Sequence, residues 1–196
     1  MDPLAHHLLT EACNNAWANH RLHGACAQLG ATEFDAPRTG FFPSIRATLN
    51  HILAVDGYYL DAMQRSLAGE APNPQFGAFF DPAREIADAP SLRGEQAATD
   101  RRLIALCRSA LDAPALLRRE ILVPRAVGIH REPLQRLLAH LFQHQVHHRG
   151  QAHAMLSGTP VAPPQLDEFF CANDAPLRAA DFAALGFAEA SIWPPE

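Results

Sequence analysis

The 196-residue chain contains no lysine; all 16 of its basic residues are arginine. That absence reflects coding composition rather than chemistry, and nothing functional rests on it. Positive charge is also in short supply, with 21 acidic residues and a net charge of -5. A nucleic-acid partner needs a concentrated basic face to displace counterions from phosphates, so the balance argues against DNA or RNA. Cysteine is sparse and scattered: Cys13, Cys26, Cys107 and Cys171 form no Cys-x-x-Cys pair. This spacing predicts four free thiols in a reducing compartment. No apolar run approaches the roughly 18 residues that a membrane-spanning helix requires. The first residues, MDPLAHHLL, carry an acid where a secretory leader carries a basic segment. The expectation is a cytoplasmic protein with no membrane association. No Glu-x-x-His occurs anywhere, which argues against a carboxylate-bridged di-iron centre.

What is present points to helices. Apolar residues make up 48% of the chain, and alanine and leucine outnumber the β-branched residues. Asp2-Pro3 reads as an N-cap and first helical residue, opening helix one from Leu4 to about Leu29 before Gly30. After the link APRTGFFP, Ser44 caps helix two, in which Ile45, Leu49, Ile52, Leu60 and Met63 recur at helical spacing up to Gly69. Residues 70–90 hold four prolines and read as a long connection. Helix three opens at Ser91 and runs to about Leu111. ILVPRAVGIHRE, residues 121–132, is β-prone and broken by Pro124 and Gly128, which predicts an extended or hairpin-like link. Helix four spans about Glu132 to Leu156. The expected architecture is a single all-α domain: a four-helix bundle over residues 3–158 with long connections, and a proline-rich extension over 159–196 with a short helix near Asp181–Leu185.

Histidine is the residue in excess. The stretch LAHLFQHQVHHRGQAHAML, residues 138–156, holds five of the eleven. Steps of three and four residues place His140, His144, His148 and Gln151 on one stripe with Leu137 and Met155, the face expected to point inward. His147 sits at its edge, and His153 is expected to face solvent. A histidine pair at i, i+4 stacks two imidazoles as zinc-binding helices do, but the intervening QVH supplies no glutamate base for metalloprotease chemistry. A third ligand is needed, and His51 on helix two is the best candidate. Three neutral imidazoles leave the ion's charge uncompensated and a coordination position open, the arrangement of catalytic rather than closed structural sites. Nitrogen donors suit zinc, nickel, copper or iron. Two other readings stay open: a structural metal, and histidines packed as core without metal.

The remaining polar residues are assigned blander roles. Arg149 falls off the inward stripe and reads as a cap or surface salt bridge. Gln151 either orients a ligand imidazole or bonds the next helix. Asp56 lies about 140° from His51 around its helix and reads as a surface or interhelical residue. His6, His7, His20 and His23 wrap around helix one and, with His130, are expected at the surface or in local hydrogen bonds.

HQVHHRGQAHAML after LLAHLF, a histidine within LNHILAVDGYYLDAM, the early NNAWANHRL and the late PPQLDEFF together resemble the DinB-like family of damage-inducible four-helix-bundle metalloenzymes. The likeness spans nearly the whole chain. The resemblance implies a bundle of up-down-down-up order, frequent homodimers, and a divalent metal, zinc or nickel, held by His51, His144 and His148. His140, His147, Arg149 and Gln151 are then candidates for the surrounding shell. It also implies a small-molecule substrate and either thiol-dependent transfer or isomerisation with a low-molecular-weight thiol, or hydrolysis.

Overall fold

The computed structural model describes residues 1–193 and is mostly helical, with one two-stranded sheet. The last three residues of the expected extension lie outside the described residues. Helix α1 spans Pro3–Cys26, with the Asp2 side chain accepting from the Ala5 amide at 2.9 Å. It stops short of Leu29 because Ala27 to Leu29 already form a turn, which leads into a short helix that the sequence reading did not foresee, α2 (Ala31–Asp35). Phe34 is the buried residue of α2. Helix α3, Ile45–Ala68, begins and ends as expected: Ser44 Oγ accepts from the Ala47 amide at 3.1 Å, and Gly69 closes the helix at φ 74°. That left-handed closure favours glycine.

Residues 70–88 are a connection with two 3₁₀ turns, Phe76–Phe80 and Pro82–Arg84. Helix α4, Ala89–Asp112, starts two residues before Ser91. The cap is the Asp88 carboxylate, which accepts from the Ser91 amide at 2.8 Å, and Pro90 falls in the first turn, where no donor is lost. The β-prone segment forms a hairpin, β1 (Glu120–Pro124) against β2 (Ile129–Pro133), with Gly128 at φ 78° in its turn. Because Glu132 still pairs with Ile121 in that ladder, the last long helix, α5, begins at Leu134 and runs to Leu156.

Helix α5 packs against α3 and α1, and α4 packs against the same two. Between them lie Trp17, Leu60, Met63, Leu103, Leu138 and Leu141, each at most 1% exposed. Full burial of one such aliphatic side chain contributes about 1.5–3 kcal/mol. The C-terminal segment carries α6 (Ala175–Leu185), which starts earlier than the short helix expected near 181–185, and α7 (Glu189–Ile192). It is fastened by Arg178, which is fully buried, donates to both Glu189 carboxylate oxygens at 2.7 and 2.9 Å, and also reaches the carbonyls of Glu168 and Cys171. Arg21 on α1 ties the same segment through Asp181 and Glu168 at 2.7 and 2.6 Å. Phe169 packs 5.6 Å from the Trp17 ring. Among the described residues no helix is long and apolar enough to cross a membrane.

Candidate metal centre

Helices α3 and α5 bring His51, His144 and His148 together. His51 Nε2 and His144 Nε2 stand 3.0 Å apart, and one ring nitrogen from each of the three lies within 4.8 Å of the others. His148 is buried and the other two are half-buried. Two nitrogens bound to one ion at about 2.0–2.1 Å are separated by roughly 2.9–3.4 Å, so the 3.0 Å between His51 and His144 suits a shared cation.

The electrostatics agree with that geometry. Burial holds His51 down to about 4 and His144 to about 3, with the neighbouring imidazoles adding to the effect, and His148 is lowered by the same cause. At neutral pH all three rings are uncharged and carry lone pairs. The Nδ1–H of His148 donates to Gln151 Oε1 at 2.8 Å, which leaves Nε2 free as the donor to a cation. The Gln151 amide N–H in turn donates to His147 Nε2 at 3.1 Å. His144 Nδ1 is buried without a partner, so the ring's one polar contact is toward His51. Three uncharged, preoriented imidazoles are a donor set that could bind a divalent metal.

Several expectations need correction. His140 is exposed, its ring 6.5 Å from that of His144 and 5.4 Å from Tyr59. Successive i, i+4 steps drift by about 40°, so a stripe centred between His144 and His148 has already turned outward at position 140. Arg149 is neither a cap nor a surface ion pair: it is 6% exposed and its Nη1 donates to Asn15 and Asn19 Oδ1 at 2.6 and 3.0 Å. Since α5 is covered by α1 as well as α3, more than one stripe of it is buried. The centre of its buried face is Leu141, Gln145, Ala152 and Leu156, all fully buried. His23 is likewise buried, not at the surface. His153 is half-buried, and its Nε2–H donates to the Pro164 carbonyl at 2.8 Å, holding the extension to α5. His147 is exposed; it accepts from Gln151 and its ring lies edge-on to that of His148, with centroids 4.8 Å apart.

Asp56 is interhelical. Its Oδ2 accepts from Gln96 at 2.9 Å and from Gln145, while Asp100 accepts from Asn15, Asn19 and Gln96. With Arg149 these residues form a buried polar layer beside the histidines. Burial raises the Asp56 carboxyl well above its usual range and lifts Asp100 to about 6. Sequence reasoning missed Gln145, whose signal was a polar residue at the centre of the apolar stripe.

It also missed Phe42, which covers the histidines from the link before α3. Its ring is 4.3 Å from that of His51 and 5.5 Å from that of His148. The available signal was an aromatic pair placed just ahead of the helix that carries His51. Next to His51 a cavity of about 580 Å³ opens, walled by Phe42, Leu53, Phe79, Phe80 and Ile86. Its volume and mixed lining are those of a small-molecule pocket.

Among curated proteins none matches the chain. The family model described as DinB family matches residues 6–178, a span that contains all three clustered histidines and most of the 196 residues. The chain therefore belongs to the DinB family.

Proposed function

We propose that the protein is a metal-dependent enzyme in which His51, His144 and His148 hold one divalent ion, zinc or nickel, facing a small-molecule substrate in the adjoining cavity. The observation that carries this reading is the convergence of three uncharged imidazoles at the edge of a 580 Å³ cavity, with His51 lining both. A closed structural site has no such opening. When bound, the ion supplies Lewis acidity that converts a thiol or a water at its open position into a nucleophile near neutral pH.

The chain's own residues do the rest. Gln151 fixes the ring of His148 with Nε2 toward the cluster, and Phe42 limits water on one side. The apolar wall of the cavity orients the body of a substrate. We favour thiol-dependent transfer or isomerisation with a low-molecular-weight cosubstrate, because the uncharged donor set suits a soft anionic sulfur; hydrolysis is the second chemistry the same opening permits. In this reading the four long helices form a bundle of up-down-down-up order, within one domain that works in the cytoplasm as a homodimer.

Elemental analysis of untagged protein followed by a turnover screen of electrophiles against common cellular thiols tests the proposal. Stoichiometric metal and thiol-dependent turnover, both lost on His144→Ala, are expected. Protein purified without metal that also fails to take up zinc or nickel would overturn it. Tightly held metal without turnover, coupled to a sharp fall in melting temperature on removal, would mark the ion as structural.

A further inference from the structure

A second cavity, of about 120 Å³, lies between α1, α4 and the end of α6. None of the three clustered histidines lines it. Its volume is well short of a drug-sized pocket, so a ligand of only a few non-hydrogen atoms fits. Its polar side is formed by His20, His23, Arg93 and Asp100, its apolar side by Ile104, Leu185 and Phe187.

The carboxylates at this place already have hydrogen-bond donors. Asp100 accepts hydrogen bonds from Asn15, Asn19 and Gln96, and the same two asparagines carry the Arg149 guanidinium. Asp181, beside His20, is held by Arg21 at 2.7 Å and by Trp17 at 3.2 Å. Arg93, by contrast, has no carboxylate partner among the described residues, and its one side-chain hydrogen bond is a long contact of 3.5 Å to His20 Nδ1. His23 is only 2% exposed and lines the cavity, yet its ring makes no hydrogen bond among the described residues. Burial above all, with Arg93 and Arg149 adding to it, holds it down to about 3, so at neutral pH the ring is uncharged and keeps one N–H to donate.

We propose that this cavity binds a small monocarboxylate with a short apolar tail. The carboxylate accepts from the Arg93 guanidinium and the His23 N–H, and the tail rests on Ile104, Leu185 and Phe187. A charged acceptor satisfies both donors at once, and a neutral ligand leaves the guanidinium's charge unmet. Leu185 and Phe187 lie beyond residues 6–178, so two of the three residues of that apolar wall come from a part of the chain outside the family match.

Calorimetric titration of the full-length protein with acetate, propionate, butyrate and hexanoate, with butyramide as the neutral control, tests the site. Affinity is expected to rise from acetate to butyrate and to fall at hexanoate. Arg93→Gln should weaken butyrate roughly tenfold or more, the effect of losing one charge-assisted hydrogen bond. Ala97→Leu, which fills the cavity and leaves its charges in place, should abolish binding. His144→Ala should leave binding unchanged, and butyrate should shift the His23 ring resonances. Butyramide binding as well as butyrate, full affinity in Arg93→Gln or Ala97→Leu, or no binding at any chain length would overturn the proposal. So would loss of binding in His144→Ala, which would place the carboxylate at the histidine cluster instead.

Discussion

Replacing Gln151 with leucine removes the acceptor from His148 Nδ1 while keeping most of the side chain's bulk. That bond, at 2.8 Å, is the one that fixes which nitrogen of His148 carries the proton. Without it, the tautomer with hydrogen on Nε2 becomes equally accessible, and that tautomer cannot ligate. Partners of this kind are worth about 10–100-fold in metal affinity, or roughly 1.4–2.8 kcal/mol. Gln151 is half-buried and uncharged, so water replaces part of the lost bond and the lower end applies, about tenfold. Gln151→Glu keeps the acceptor and should bind zinc at least as tightly as the parent. His147→Ala removes the hydrogen bond with Gln151 and the edge contact with the His148 ring at an exposed site, and should change affinity no more than about twofold. The assay is competition for zinc with a chromophoric chelator at neutral pH, alongside circular dichroism to confirm equal folding. Unchanged affinity in folded Gln151→Leu, or equal weakening by Leu and Glu, would refute the claim that this bond prepares His148 for a metal.

Three further outcomes concern buried polar residues. Arg149→Met should lower unfolding free energy by about 3–5 kcal/mol in urea, because it strips the cation from a buried site and leaves Asp100 unbalanced; a loss below about 1 kcal/mol would return Arg149 to a peripheral role. Burial disfavours the charged form of Asp56 and raises its carboxyl well above the usual range, so the uncharged Asp56→Asn should cost less than about 1 kcal/mol and Asp56→Ala, which leaves Gln96 and Gln145 without their acceptor, about 1–3 kcal/mol in the same assay. Equal destabilisation by the two substitutions would contradict a role for Asp56 that rests on its hydrogen bonds rather than on its charge. His23, lowered to about 3, binds its proton far more readily unfolded than folded, so its contribution is complete above about pH 6.5 and drains away as pH falls toward about 3. Parent protein should therefore lose stability across that window more steeply than His23→Gln, as read from melting temperature against pH; parallel curves would rule this out.

The helical pattern was legible where a helix carries its own punctuation, as α1, α3 and the end of α5 do: Pro3, Ser44, Gly69 and Gly158 are local signals that act through the backbone, independent of the rest of the chain. The hairpin was legible for the same reason, as β-prone residues around Pro124 and Gly128. The grouping of His144 with His148 follows from helical periodicity, and the choice of His51 from its place on the inward face of a second helix. What periodicity could not supply was how much of each helix the neighbours cover. Helix α5 is enclosed by two partners, so Arg149 is buried on a face that a single-stripe projection turns toward water, and His140 escapes because the stripe drifts outward toward the start of the helix. Phe42 over the histidines, Arg178 anchoring the extension, and the cavity where His23 and Arg93 meet Leu185 all join residues far apart in the chain. Spacing along one helix is a property of the backbone and can be read from sequence; which distant side chains meet is decided only when whole helices pack.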